Sequence, residues 1–125
     1  MFKIRPIVPI SVLNNTDRPY KVYTFKFTQD STSNPTVVVH ENTIGNIVWT
    51  RTGAGAYRGT LTAAFPAVKT YFYCMDVTKP IELFNLGPLE MSLGITTNYV
   101  NITLTGGMDL DGKFVDTPFE IRVYP

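Results

Sequence analysis

Apolar and polar residues alternate at period two along most of this chain, and Gly, Pro, Asn or Asp cut the alternation at short intervals. Successive strand side chains point to opposite faces, so such a pattern places one face on a core and the other in water, whereas a helix needs period 3.6. Tyr23, Phe25 and Phe27 alternate with Val22, Thr24, Lys26 and Thr28. Val100, Ile102 and Leu104 alternate with Tyr99, Asn101 and Thr103, and Phe119, Ile121 and Val123 alternate with Glu120, Arg122 and Tyr124. These segments predict three half-buried strands. Ile7 to Leu13, Thr36 to His40, Asn46 to Arg51, Tyr57 to Thr62, Thr70 to Val77, Ile81 to Phe84 and Met91 to Thr96 are further candidates. So many short strands in 125 residues predict a single all-β domain, an antiparallel β-sandwich of jelly-roll-like or Ig-like type spanning 1–125, with 1–12 as an extended N-terminal arm or edge strand.

Turn chemistry supports hairpins. Thr52-Gly53-Ala54-Gly55 lies between Trp49 and Tyr57, and Asp111-Gly112 lies between the last two strand regions, both with residues that tolerate positive φ. The polar loop Gln29 to Pro35 needs no role beyond connecting strands. Helix is tolerated only around Ala63, Ala64 and Ala67, and Pro66 limits it. Heptads, Gly-X-Y triplets and β-helical repeats, the marks of elongated shafts, do not occur. Thr70 to Met75 is apolar or aromatic on both faces, which predicts a central strand or a strand with one face on a partner. Arg5-Pro6-Ile7-Val8-Pro9-Ile10 carries two prolines without backbone donors, so it predicts an edge strand or an arm laid on a neighbour.

Charge excludes some classes of function. The chain has 11 basic and 10 acidic residues and no run of Lys or Arg, so a basic face for nucleic acid is not expected. No apolar stretch approaches the length of a membrane-spanning helix. Pro6 and Pro9 interrupt the apolar region a signal peptide needs, and Cys74 is the only cysteine; together these predict synthesis in a reducing cytoplasm. The low charged fraction, 17%, suits a surface that meets other proteins.

Candidate chemistry is sparse. His40 is the only histidine, so any Ser-His-Asp or Cys-His constellation would depend on it, and Cys74 lies among aromatics with no basic neighbour in sequence to lower its pKa. One His and one Cys do not make a structural zinc site. Asp109, Asp111 and Glu120 have the outer spacing of a calcium loop, but Lys113 stands where an oxygen ligand belongs and Gly112 comes two positions too early to match the loop's glycine, so an Asp-Gly turn is expected. Glu82 and Glu90 carry no sign of facing each other as a glycosidase pair. Thr52 to Ala56 lacks the lysine and the helix of a phosphate loop. Asn14 and Asn101 begin glycosylation triplets, which are accidental without export. No enzyme and no cofactor is therefore expected. Trp49 and Tyr57 are predicted core residues. The predicted interface residues are Arg5, Ile7 and Ile10 in the arm, Tyr71, Tyr73 and Met75 in the aromatic segment, and Tyr99 and Tyr124 on polar strand faces.

The run Asn42-Thr43-Ile44-Gly45, then Trp49-Thr50-Arg51, then Gly55-Ala56-Tyr57-Arg58-Gly59-Thr60-Leu61, preceded by Tyr20 to Phe25 and Thr28-Gln29, resembles small β-domain proteins encoded by tailed phages of Bacteroidetes hosts, including the crAss-like group and related prophages. The resemblance covers about residues 20 to 75. It implies a virion or phage-associated β-domain and leaves capsid, portal, tail or fibre open; the short single-domain build favours a capsid-surface auxiliary or small head or tail accessory, since a fibre would need a shaft. Its implied partners are other virion proteins, major capsid or tail and fibre subunits, in an oligomeric particle; no nucleic acid or membrane is expected. The alternative is a carbohydrate-binding adhesin whose partner is a surface glycan.

Overall fold

The structure, a computed structural model, describes residues 18–75, 90–106 and 109–125. The predicted strands at 7–13 and 81–84, the arm residues Arg5, Ile7 and Ile10, and Glu82 lie outside the described residues. Eight strands form among the described residues: β1 (Lys21–Thr28), β2 (Thr36–Asn42), β3 (Val48–Gly53), β4 (Ala56–Thr60), β5 (Thr70–Cys74), β6 (Glu90–Ile95), β7 (Tyr99–Thr105) and β8 (Thr117–Val123). They make two antiparallel four-stranded sheets, β2-β1-β8-β5 and β3-β4-β7-β6, so the domain is an all-β sandwich.

One aromatic core joins the sheets. Phe25 and Phe27 project inward from β1, with ring centroids 5.0 and 5.4 Å from Trp49 on β3, and Phe27 lies 5.7 Å from Tyr57 on β4. Phe72, Phe119 and Phe114 complete the layer. Trp49 and Tyr57 are buried, as predicted, and each keeps a polar handle satisfied. Trp49 Nε1 donates to Tyr23 Oη at 3.4 Å, and burial raises the Tyr23 hydroxyl pKa above its ordinary value.

Asn42, Thr43, Gly45 and Gly59 each have a physical reason in the structure. Asn42 Oδ1 accepts from the N–H groups of Ile44 and Gly45, both at 3.0 Å, closing the turn after β2. Gly45 sits at φ +144°, in the region that favours glycine. Thr43 Oγ1 accepts the Val22 N–H at 2.8 Å and ties that turn to β1. Gly59 leaves room for the Trp49 indole: a Cβ there would lie 2.8 Å from Cη2 and Cζ3 of Trp49 and 2.8 Å from Cγ2 of Ile47.

Several expectations are corrected. Thr70 to Cys74 is an end strand and not a central one among the described residues; Phe72 goes to the core while Tyr71 and Tyr73 take the outer face. Asp111-Gly112 is no hairpin tip, because β7 and β8 belong to opposite sheets and the connection crosses between them. The stretch around Ala63 to Ala67 is a series of turns, with Ala63 and Val68 at φ 59° and 60°.

Gln29 is also more than loop. It is 2% exposed; its Nε2 donates to the Ser31 and Ser33 carbonyls at 2.8 and 3.0 Å, and its Oε1 accepts from Tyr57 Oη at 2.8 Å and the Gly112 N–H at 2.7 Å. Asp111 adjoins this network. Its carboxylate receives Arg51 Nη2 at 2.8 Å, Tyr57 Oη at 2.8 Å and the Gly55 N–H at 3.1 Å. The arginine, with the other donors, holds the Asp111 carboxyl at about 2. Three loops at one end of the sandwich are thereby fastened to one another.

Candidate functional site

The outer face of the β2-β1-β8-β5 sheet carries polar and aromatic residues in rows set by register. Tyr73, Glu120, Thr24 and Glu41 lie side by side across the four strands. The next row holds Tyr71, Arg122 and Val22, and beyond it Tyr124 comes beside Tyr20. Four tyrosines from three separate parts of the chain thus gather around one arginine. The Arg122 guanidinium carbon lies 4.5 Å from the Tyr20 ring centroid and 5.7 Å from that of Tyr73, within cation–π range. Tyr124 contacts both Tyr20 and Tyr71, at centroid distances of 5.0 and 5.6 Å.

Glu120 holds this arrangement from beneath. It is 6% exposed although it stands on the outer face, and both carboxylate oxygens are occupied. Oε1 accepts from Thr24 Oγ1 at 3.1 Å, and Oε2 accepts from Tyr73 Oη and Arg122 Nε. Burial pushes the carboxyl pKa up, but the Tyr73 and Arg122 hydrogen bonds outweigh it, and the net shift is downward. Burial and the bond to Glu120 push the Tyr73 hydroxyl up to about 12. Glu120 is therefore an ionised anchor for Thr24, Tyr73 and Arg122. Replacing it with glutamine is expected to cost about 1–2 kcal/mol, because Arg122 loses its counter-charge. The Tyr73 hydroxyl should then titrate at lower pH. Urea unfolding and NMR titration of the tyrosine rings measure the two effects.

A shallow cleft of about 450 Å³ opens over this face, lined by Val68, Lys69, Tyr71, Tyr73, Arg122, Tyr124 and Pro125. A neighbouring cleft of about 600 Å³, lined in part by Arg18, Tyr20, Lys21 and Pro66, shares Lys69, Tyr124 and Pro125 with it. Tyr71, 56% exposed, is the most accessible ring of the group.

Three of the predicted interface residues, Tyr71, Tyr73 and Tyr124, are brought together here, with exposed Met75 just past the end of β5. Tyr99 is not among them: it lies on the outer face of the opposite sheet, its ring 3.8 Å beneath the Arg58 guanidinium, which also donates to Asn101 Oδ1 at 3.2 Å. Tyr20, Glu120 and Arg122 were missed as site residues. The signal for Arg122 and Glu120 was their place on the same alternating face as Tyr124; for Tyr20 no local signal existed, since only the β1–β8 register brings it to Tyr124.

His40 and Cys74 sit in β2 and β5, on opposite edges of one sheet, three strand spacings of roughly 4.8 Å apart, so they form no catalytic pair. Asp111 is engaged with Arg51 while Glu120 is bound on the outer sheet face, and the two make no common cation site. No cluster of three His, Cys, Asp or Glu able to hold a metal occurs among the described residues. Among them, too, no helix is long and apolar enough to cross a membrane. Compared with known proteins, the chain matches no protein-family model, no curated protein and no solved structure.

Proposed function

We propose that this chain is a non-catalytic β-sandwich module of a phage particle, made in the host cytoplasm and incorporated into the virion by binding a larger structural protein through its tyrosine face. One observation carries the binding role: Tyr20, Tyr71, Tyr73 and Tyr124 converge around Arg122 on an exposed, concave sheet face. Tyrosine and arginine dominate interface hot spots because they offer large, amphipathic contact area for few rotatable bonds. Arg122 is already fixed by Glu120, so little side-chain freedom is lost when a partner docks. The virion setting is supported by the likeness of residues 20 to 75 to small phage β-domain proteins.

A second reading, adhesion to a surface glycan, is favoured by the cleft itself. Tyr71 and Tyr124 offer ring surface for stacking, while Lys69 and Arg122 border it with donors for hydroxyl or carboxylate groups. The double substitution Tyr71→Ala with Tyr124→Ala discriminates the readings. It is expected to abolish co-sedimentation of the full chain with particles of the phage that encodes it, each ring contributing about 2 kcal/mol. Unchanged incorporation overturns the proposed assembly surface. Loss of binding on a glycan array, with incorporation retained, moves the assignment to adhesion.

A further inference from the structure

At the edge opposite the tyrosine face, the same sheet ends in β2 among the described residues, and the hydrogen-bond ladder shows what that edge presents. The Val22 N–H and C=O both point toward the β2 side, meeting Thr43 Oγ1 and the Thr43 N–H at 2.8 Å each. Backbone groups alternate in direction along a strand, so the even-numbered residues of β1 face β2 and the odd-numbered ones face β8. The far side of the sheet has the same phase: the Pro118 carbonyl accepts from the Met75 N–H, and the Tyr124 N–H donates to the Lys69 carbonyl.

Carried across the register, which pairs Thr28 with Thr36 and Lys26 with Val38, this phase turns Thr36 and Val38 toward β1. Val37 and Val39 present their N–H and C=O outward. The bulge opposite Thr24 and Phe25 inserts His40 as the extra residue, so the regular open edge is Thr36 to Val39.

The usual protections stand at the ends of that edge and not along it. Thr36-Val37-Val38-Val39 contains no charge, and Val38 is 58% exposed. Proteins normally blunt an exposed apolar edge with lysine, proline or a bulge along its length; here Pro35 precedes the stretch and the bulge follows it. The adjacent edge of the other sheet is treated differently, since the Arg51 N–H on β3 is covered by Asn34 Oδ1 at 3.0 Å.

We propose that the chain forms a two-fold homodimer by antiparallel pairing of β2 with β2 of a second copy, centred on Val38. This register places Val37 opposite Val39 of the copy and Val39 opposite Val37, giving two complete hydrogen-bonded pairs. Registers shifted to either side bring an outward valine against Pro35, which has no donor, or against the bulge. A second copy fits better than an unrelated strand because the segment is self-complementary: Val38 meets Val38, Thr36 meets His40, and no like charges oppose across the seam. Glu41, the nearest carboxylate, is engaged by Arg18 at 2.9 Å.

The pairing makes a continuous eight-stranded sheet with its two-fold axis perpendicular to the strands and the sheet plane. Both tyrosine faces then lie on one side, near the two ends, seven spacings or about 34 Å apart. If the tyrosine face binds as proposed above, the dimer is bivalent toward a repeated surface and gains avidity from it; the dimer itself does not depend on that reading.

Sedimentation equilibrium of the full chain over a concentration series tests the pairing. The expected mass rises from 14.0 kDa toward twice that value. Val39→Pro removes an outward donor without touching the β1 ladder, and Val38→Lys places two ammonium groups at the axis. Both variants are expected to remain at the monomer mass with an unchanged far-ultraviolet circular dichroism spectrum, and Val38→Lys serves alone if Val39→Pro fails to fold. Val48→Lys, on an exposed site of the other sheet, and the Tyr71→Ala, Tyr124→Ala double variant should dimerise like the parent. A parent chain that stays monomeric throughout, a dimer that survives Val38→Lys undiminished, or one dissolved by the tyrosine substitutions overturns the proposal.

Discussion

Gly59→Ala should destabilise the protein by about 2–3 kcal/mol, a lowering of the melting temperature on the order of 10 °C for a domain of this size. One methyl group produces so large an effect because of where it would go. The added Cβ meets two indole carbons of Trp49 and the Ile47 Cγ2, each at 2.8 Å, and all three belong to the sandwich interior. The indole cannot retreat freely, since the Phe25 and Phe27 rings stand 5.0 and 5.4 Å from it across the core. Thermal unfolding by circular dichroism measures the loss. Trp49 is the only tryptophan, so a red shift in intrinsic fluorescence would report its displacement directly. Gly53→Ala is the matched control: nothing lies within 4 Å of its Cβ position, and its effect should stay within about 0.5 kcal/mol. Equal stability of the two variants would refute the close approach at Gly59.

Asp111→Ala should cost about 3 kcal/mol, because it removes the shared acceptor of Arg51, Tyr57 and the Gly55 N–H and leaves a part-buried guanidinium without its counter-charge. Asp111→Asn keeps the shape and tests the charge separately. The carboxyl titrates at about 2 in the folded protein against an ordinary value of 3.8, so the unfolded chain takes up the proton first. The stabilisation is complete above 3.8 and is lost as pH falls through about 2. The stability gap between the parent and Asp111→Asn, followed by urea unfolding, should therefore narrow across that interval and be constant above it. Glu120, whose carboxyl is also lowered, adds loss in the same direction to both proteins. A gap independent of pH would mean that Asp111 acts through shape alone.

Both residues stood in plain view in the sequence, and neither could be given its role there. Gly59 belonged to a recognisable Gly-x-Tyr-x-Gly run, yet the reason for glycine is an indole arriving from the neighbouring strand. Asp111 looked like the tip of a turn because Asp-Gly favours turns wherever it occurs; its partners Arg51, Gly55 and Tyr57 lie more than fifty residues earlier. Gln29, placed in a polar connecting loop, is one of the most buried polar residues described, since the loop folds its amide inward to satisfy Tyr57 and Gly112.

The tyrosine face divides in the same way. Tyr71, Tyr73 and Tyr124 could be proposed from composition and alternation, and Glu120 and Arg122 share the alternating face of Tyr124, but Tyr20 enters only when β8 takes its place beside β1. What the amino-acid order determined by itself was the class of structure: alternation is a local property, each strand shows its own period, and glycine, asparagine or proline marks the breaks between strands without reference to distant residues. Which strands became neighbours, which edge is open at Thr36 to Val39 among the described residues, and which tyrosines met around Arg122 were decided by tertiary structure. Those choices depend on register between segments as much as a hundred residues apart, and period-two alternation looks the same in every strand order that buries the same aromatic face.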